Sequence, residues 1–269
     1  MDNSKLKKLS ARALDANKYD FGPVFIFAGH KGMPGAARLC AEGCLRAGAG
    51  MVILATHPAH ADAIAMSRPE MICHGIEEMH QLSALVKKAK VLAVGPGLTQ
   101  DHWCVEGVEM LLQQTHLPMV IDAGALAIIK PKIGKHPQWI LTPHVGEAAI
   151  LLDLTPQQVQ RDKVAAAQEL QKRYGAVVVL KGAKTLVVSQ QSVETVQAGN
   201  PGMASAGMGD VLTGVIAGLV AQDIDLNEAA YLGATLHAMA GDECAKREGL
   251  LGMLALDLLP YLRNKINKL

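Results

Sequence analysis

Short apolar runs alternate along the chain with longer stretches in which apolar residues recur at helical spacing. Continuous aliphatic or β-branched runs at Val24–Ala28, Met51–Ala55, Val91–Val94, Met119–Ile121, Trp139–Leu141 and Val177–Leu180 predict strands buried on both faces. Between them, Ala36–Ala47, His102–Gln113, Gly146–Leu152 and Gln157–Tyr174 carry helical periodicity. The last of these opens on Thr155-Pro156-Gln157-Gln158, with Thr placed to cap, Pro in the first turn and Gln placed to close a capping box. Alternation of this kind predicts an α/β fold with a mostly parallel sheet covered by helices on both faces. After Leu180 the pattern changes: Thr185–Ser189 and Val193–Gln197 read as a hairpin-like pair, followed by a Gly-rich loop from Gly199 to Gly209. Three helices are then expected, over Asp210–Val220, Asn227–Arg247 and Leu254–Lys268. With no repeat, low-complexity stretch or linker, one domain over residues 1–269 is expected.

Composition narrows the class. A formal net charge of +1 on balanced acids and bases gives no basic footprint for nucleic acid. The five cysteines are odd in number and have no CxxC spacing, so buried reduced thiols are expected rather than a disulfide framework or zinc ribbon. Met1–Leu14 is polar and lacks a signal-peptide core, and no apolar run is long enough for a membrane span. A soluble, cytoplasmic protein with no membrane partner is the expectation.

The chemistry concentrates after the strands, where open α/β sheets place their sites. The densest segment runs Gly199-Asn200-Pro201-Gly202-Met203-Ala204-Ser205-Ala206-Gly207-Met208-Gly209-Asp210 into a helix. Small residues let backbone amides approach an anion, and the helix N-terminus favours negative charge at the same place. An acid there, Asp210, either caps the helix or serves as a base beside a phosphate; the segment alone leaves both open. Other strand-end loops are Gly29-His30-Lys31-Gly32-Met33-Pro34-Gly35, Gly95-Pro96-Gly97-Leu98, Asp122-Ala123-Gly124, Thr142-Pro143-His144-Val145-Gly146-Glu147 and Lys181-Gly182-Ala183-Lys184-Thr185. The first is not GxGxxG, and Thr56-His57-Pro58 stands where a dehydrogenase would place its ribose-binding acid.

Together these motifs closely resemble the NAD(P)H-hydrate dehydratases, a branch of the ribokinase-like superfamily. The resemblance runs from Phe21 to about Pro260 and rests on the Gly29–Ala37 loop, Arg46-Ala47-Gly48-Ala49-Gly50, Gly95-Pro96-Gly97-Leu98, Thr142–Glu147, Leu180–Ala183 and Asn200–Ala204 leading into Gly207–Gly214. Val145 stands where Pro is frequent in the family and Ala206 where Gly is. The resemblance implies a three-layer α/β/α, Rossmann-like fold. It implies repair of the S-form of NADH hydrate and NADPH hydrate at the expense of ADP or ATP, with Mg2+. The 6-hydroxyl is phosphorylated, and phosphate, a better leaving group than hydroxide, is eliminated.

By the same resemblance Asp210 is the base and a substrate contact, and Gly207 and Gly209 cradle the transferring phosphate. Ala36, Gly97 and His144 contact the hydrate, Lys181, Gly182, Ala183, Lys184 and Thr185 lie under the nucleotide, and Glu147 holds the metal, through water. Glu147 also fits as a plain first-turn carboxylate. Asp122 is a weaker candidate behind the metal, and His237 and Asp242 are expected as packing or nucleotide-edge residues. The family implies a homotetramer and a separate NAD(P)H-hydrate epimerase as functional partner, since this chain leaves no room for that domain. Two other functions stay in view: a hydroxyethylthiazole- or hydroxymethylpyrimidine-type kinase, and a non-catalytic dinucleotide sensor. A sensor needs no base, and so gives no reason for Asp210 and Glu147 together.

Overall fold

The computed structural model describes residues 12–113 and 116–269. The polar N-terminal segment up to residue 11 lies outside these. The strands are β1 (Val24–Phe27), β2 (Val52–Thr56), β3 (Met71–Gly75), β4 (Val91–Val94), β5 (Met119–Ile121), β6 (Trp139–Leu141), β7 (Val177–Leu180), β8 (Leu186–Val188) and β9 (Val193–Thr195). They form a nine-stranded sheet in the order β3-β2-β1-β4-β5-β6-β7-β8-β9. The pairs from β3 through β7 are parallel, and β7–β8 and β8–β9 are antiparallel.

The helices are α1 (Pro34–Arg46), α2 (Ala61–Ser67), α3 (His80–Val86), α4 (His102–Leu112), α5 (Gly124–Ile129), α6 (Val145–Leu152), α7 (Pro156–Arg161), α8 (Lys163–Tyr174), α9 (Met208–Val220), α10 (Leu226–Glu248) and α11 (Leu258–Ile266). Strand alternation sends Val24 and Ile26 into the core under α1, α9, α10 and α11. Phe25 and Phe27 enter a second core under α4, α5, α6 and α8. This is the expected three-layer α/β/α arrangement.

Differences from the sequence expectation fall where signals are short or half-polar. β3 was not anticipated: its residues, Met71-Ile72-Cys73-His74-Gly75, form an edge strand with only Met71 fully buried. Helices α2, α3 and α5 span seven, seven and six residues and have no side-chain cap, so they carry little periodicity. The expected helix Gln157–Tyr174 is two helices. Asp162 leaves helical geometry (φ −143°, ψ 82°) and restarts the chain by accepting from the Ala165 amide at 2.9 Å. The Thr155 capping box forms as expected, with Gln158 N–H donating to Thr155 Oγ1 at 3.2 Å and Thr155 N–H to Gln158 Oε1 at 2.8 Å. All five cysteines are free, and four of them are buried.

Two features position the site. The chain leaves β1 for β2 and β3 on one side, then returns to β4 on the other. The crevice at the C-terminal ends of β1 and β4 is therefore the topological switch point. Second, α1 and α9 touch through glycine. An added Cβ on Gly214 would lie 1.9 Å from the Cys40 carbonyl oxygen, and one on Gly218 2.6 Å from that of Cys44. This backbone contact brings the first turns of α1 and α9, with Ala36 and Asp210, to one end of the sheet. Gly214→Ala is expected to force the helices apart and destabilise the protein by about 3 kcal/mol, read as a lower urea midpoint at unchanged slope.

Candidate active site

The centre of the site is a buried carboxylate with both oxygens occupied. Asp122, at the end of β5, is 1% exposed. Its Oδ1 lies 2.6 Å from Lys181 Nζ, and its Oδ2 accepts from Thr213 Oγ1 at 2.7 Å. Lys181 follows β7 and Thr213 lies one turn into α9, so one carboxylate ties together the middle of the sheet, its last parallel strand and the helix that follows the Gly-rich loop. Thr213 was not anticipated; a Thr inside an apolar helix gives no sequence signal. Lys181 also approaches Glu147 Oε2 at 3.9 Å. Burial opposes its charge, but Asp122 and Glu147 outweigh burial and hold its pKa above the ordinary lysine value.

Asp210 sits in the first turn of α9 behind Gly207, the N-cap residue with φ +89°. Among the described residues its carboxylate has no hydrogen-bond partner, so the capping role left open by the sequence is not the one it plays. Burial, reinforced by Asp122 and Glu147 against the opposing Lys181, pushes its pKa up to about 7. A carboxylate tuned to that range suits proton abstraction near neutral pH. Gly209 packs beside it: a Cβ there would come within 3.1 Å of Lys181 Nζ. The small residue lets the loop backbone pass close to the ammonium.

His144 and Glu147 form a reciprocal cap on α6. His144 Nδ1 accepts from the Gly146 and Glu147 amides at 2.9 and 3.2 Å, and Glu147 Oε2 accepts from the His144 amide at 2.7 Å. With Nδ1 an acceptor, the neutral ring carries its proton on Nε2, on a side chain 59% exposed. The first-turn role considered for Glu147 is thus real. Its carboxylate is also mostly buried, and burial raises its pKa despite Lys181.

Ala36 and Gly97, expected together, are together. A Cβ on Gly97 (φ +67°) would lie 2.9 Å from the Ala36 Cβ. Nothing larger than backbone fits against the first turn of α1 there. The five residues Lys181–Thr185 do not act as a unit. Lys181 is turned into the carboxylates, whereas Gly182, Ala183 and Lys184 are exposed in the turn between β7 and β8. That turn is held by Thr185 Oγ1 donating to the Gly182 carbonyl at 3.1 Å and Lys163 Nζ to that of Ala183 at 3.1 Å. Asp242, on α10, clasps the Gly-rich loop, accepting from the Gly199 amide at 3.0 Å and from Asn200 Nδ2 at 2.9 Å. His237 is buried, and burial lowers its pKa to about 4.

The sequence profile of the NAD(P)H-hydrate dehydratases matches residues 24–264. The chain belongs to this family. It is 43% identical over 260 residues to the bifunctional NAD(P)H-hydrate repair enzyme Nnr of Coxiella burnetii, covering 96% of this chain and 53% of that protein. It spans about half the length of the bifunctional relatives it matches. It is 32% identical to the ADP-dependent (S)-NAD(P)H-hydrate dehydratase of Xanthomonas campestris, over 100% of this chain and 99% of the other. The ADP/ATP-dependent NAD(P)H-hydrate dehydratase of Bacillus subtilis, co-crystallised with ATP/Mg2+, superposes with a TM-score of 0.86 at 26% identity, covering 100% of this chain and 96% of that one. The family's ribokinase-like architecture is the one described above.

Proposed function

We propose that this chain, as one domain over residues 1–269, dehydrates the S-form of NADH hydrate and NADPH hydrate to NADH and NADPH. The reaction is coupled to conversion of ADP to AMP and phosphate, or of ATP to ADP and phosphate. The observation that carries this is Asp210: partly desolvated, without a hydrogen-bond partner among the described residues, raised to about 7 and placed where the Gly-rich loop enters α9. Family membership supports the substrate. The nicotinamide ring is read as lying against Ala36 and Gly97, where the backbone is bare, with His144 Nε2–H available to a ring substituent. The donor nucleotide is read as lying over Lys181, Gly182, Ala183, Lys184 and Thr185.

Asp210 takes the proton from the 6-hydroxyl as its oxygen attacks the terminal phosphorus, and AMP or ADP leaves. Gly207, Gly209, the α9 N-terminus and Lys181 neutralise the charge on the transferring group. The lone pair on the ring nitrogen then expels phosphate from C6, and loss of a proton from C5 restores the dihydropyridine. Glu147 fits a magnesium site. It is a mostly buried carboxylate whose charge burial disfavours, whereas Asp122 already has both oxygens occupied. Glu147 would hold Mg2+ through water, together with the nucleotide phosphates, and the ion would offset phosphate charge.

Glu147→Gln keeps an acceptor for the His144 amide but removes the charge. It is expected to raise the Mg2+ concentration for half activity while leaving hydrate binding unchanged; an unmoved metal dependence would show that Glu147 is only a cap. The deciding assay is NADH hydrate with ADP or ATP, followed at the reduced-nicotinamide absorbance. Recovery of that band with stoichiometric phosphate supports the reading. Phosphorylation of a hydroxyethylthiazole or hydroxymethylpyrimidine instead would make the chain a kinase of the same fold. A homotetramer, partnership with an NAD(P)H-hydrate epimerase and cytoplasmic location are proposed with it. The bifunctional naming of the relatives supports the epimerase link. Among the described residues no helix is long and apolar enough to cross a membrane.

A further inference from the structure

The ring-contact site at Gly97 continues, on the side away from the donor loop, into a cluster of aromatic rings. His30 lies in the loop after β1, His57 follows β2 and Trp103 is in the first turn of α4. The ring centroids are 5.5 Å apart for His30–His57, 5.7 Å for His57–Trp103 and 6.0 Å for His30–Trp103. His60 adds a fourth ring 5.6 Å from His57. Only 3% of the chain is Phe, Trp or Tyr, and one of its two tryptophans stands here. The rings are half-buried rather than enclosed, and Trp103 packs against Phe27 with ring centroids 4.9 Å apart.

The cluster is held rigidly and is tied to the ring-contact site. The His30 amide donates to the Gly97 carbonyl at 2.8 Å, and the His57 amide to that of Gly29 at 3.1 Å. His60 Nε2 lies 3.0 Å from the His30 carbonyl, and Trp103 Nε1 donates to that of Ile76 at 2.9 Å. His57 Nδ1 accepts from the Ala59 amide at 3.2 Å. His30 Nε2 lies 2.5 Å from Asp101 Oδ2, fixing the first ring. Burial, with His30, His60 and Lys31 nearby and Asp101 opposing them, lowers the His57 pKa, and a neutral ring suits stacking.

We propose that this His30–His57–Trp103 shelf takes the adenosine half of the dinucleotide hydrate by stacking against its adenine. This rests on the function proposed above. With the hydrate's 6-hydroxyl at Asp210 and its ring over Gly97, the donor nucleotide occupies the β7 side. The remaining half of the substrate must leave toward β1 and β2. The end of β2 lies two strands, about 10 Å, from that of β4, a span that an extended pyrophosphate bridge covers. Lys31, exposed beside the shelf, supplies charge for that bridge.

The test uses His57→Asn, which keeps an acceptor for the Ala59 amide but removes the ring, and His57→Phe, which restores a ring. His57→Asn is expected to raise KM for NADH hydrate about tenfold, in line with the loss of one stacking contact. It should leave kcat, KM for ADP and KM for the hydrate of the mononucleotide, which lacks adenosine, unchanged; His57→Phe should recover most of the loss. Equal effects on both hydrates, or an effect confined to KM for ADP, would overturn the proposal. In a Trp139→Phe background, where Trp103 is the sole tryptophan, NAD+ should quench fluorescence and His57→Asn should weaken that binding. This readout needs no turnover, so it separates failure of the shelf from failure of the dehydratase reading. His30, Asp101 and Cys104 also bring ligand atoms within 4.8 Å of one another. Stoichiometric zinc in the purified protein, lost in Cys104→Ser, would make the cluster a metal site and overturn the proposal.

Discussion

Asp210→Asn is expected to fold with the parent's stability and to lose dehydration by about 10²–10⁴-fold. The amide keeps the shape of the carboxylate but cannot accept the hydroxyl proton. No cap is lost, because among the described residues Asp210 has no hydrogen-bond partner. The same residue sets a pH dependence. The active form is the carboxylate and its pKa is about 7, so kcat/KM should fall as pH drops through about 7 and level off above it. Asp122→Asn removes a like charge that raises Asp210 and should move this limb to lower pH. An Asp210→Asn protein within a few-fold of the parent, or a limb that stays in place in Asp122→Asn, would remove Asp210 from the role of base.

Lys181→Met should destabilise the protein by about 3–5 kcal/mol, because it leaves the 1% exposed Asp122 without its counter-charge. Activity should fall as well, since the ammonium beside Gly209 is lost from the phosphate loop. Lys181 lowers the Asp210 pKa, so the residual kcat/KM limb should shift above pH 7. Denaturant unfolding and the pH profile together check this. In the double variant with Asp122→Asn the stability loss should be far smaller than the sum of the two single losses, as expected for directly paired groups. Additive losses would mean that the ion pair seen between β5 and β7 contributes little. The site would then be held by backbone packing, chiefly the α1–α9 contact at Gly214.

Much of this protein is legible along the chain because its information is local. Six of the seven parallel strands are short, largely aliphatic runs that fit a sheet covered on both faces. The Thr155 capping box is complete within four residues. The run Gly207-Met208-Gly209-Asp210 marks a glycine-rich loop leading into a helix because both the glycines and the helix start are written consecutively. Family resemblance then carried Ala36, Gly97, His144, Glu147 and Asp210 as a set. The structure brings Ala36 against Gly97, caps His144 with Glu147, and gathers Glu147, Asp210 and Lys181 around Asp122.

What only the tertiary structure decided is everything that depends on charges and rings meeting from distant parts of the chain. Asp122 and Thr213 stand 91 residues apart, and Asp122 and Lys181 59 apart. Neither spacing leaves a pattern in sequence, so neither the Lys181–Asp122 pair nor the Thr213–Asp122 hydrogen bond could be read from the chain. The edge strand β3 and the short helices α2, α3 and α5 were invisible because burial on one side, rather than propensity, holds them in place. The His30 and His57 rings lie on two separate loops and the Trp103 ring on the first turn of α4, and they meet only when β1 and β2 pair and α4 packs beside them. Sequence by itself determined which backbone segments form and which chemistry the loops carry, because hydrophobic periodicity and glycine content act over a few residues. Only the fold decided that Asp210 is desolvated, with its pKa raised to about 7, and that Asp122 meets a lysine, because burial and charges across space depend on distant parts of the chain.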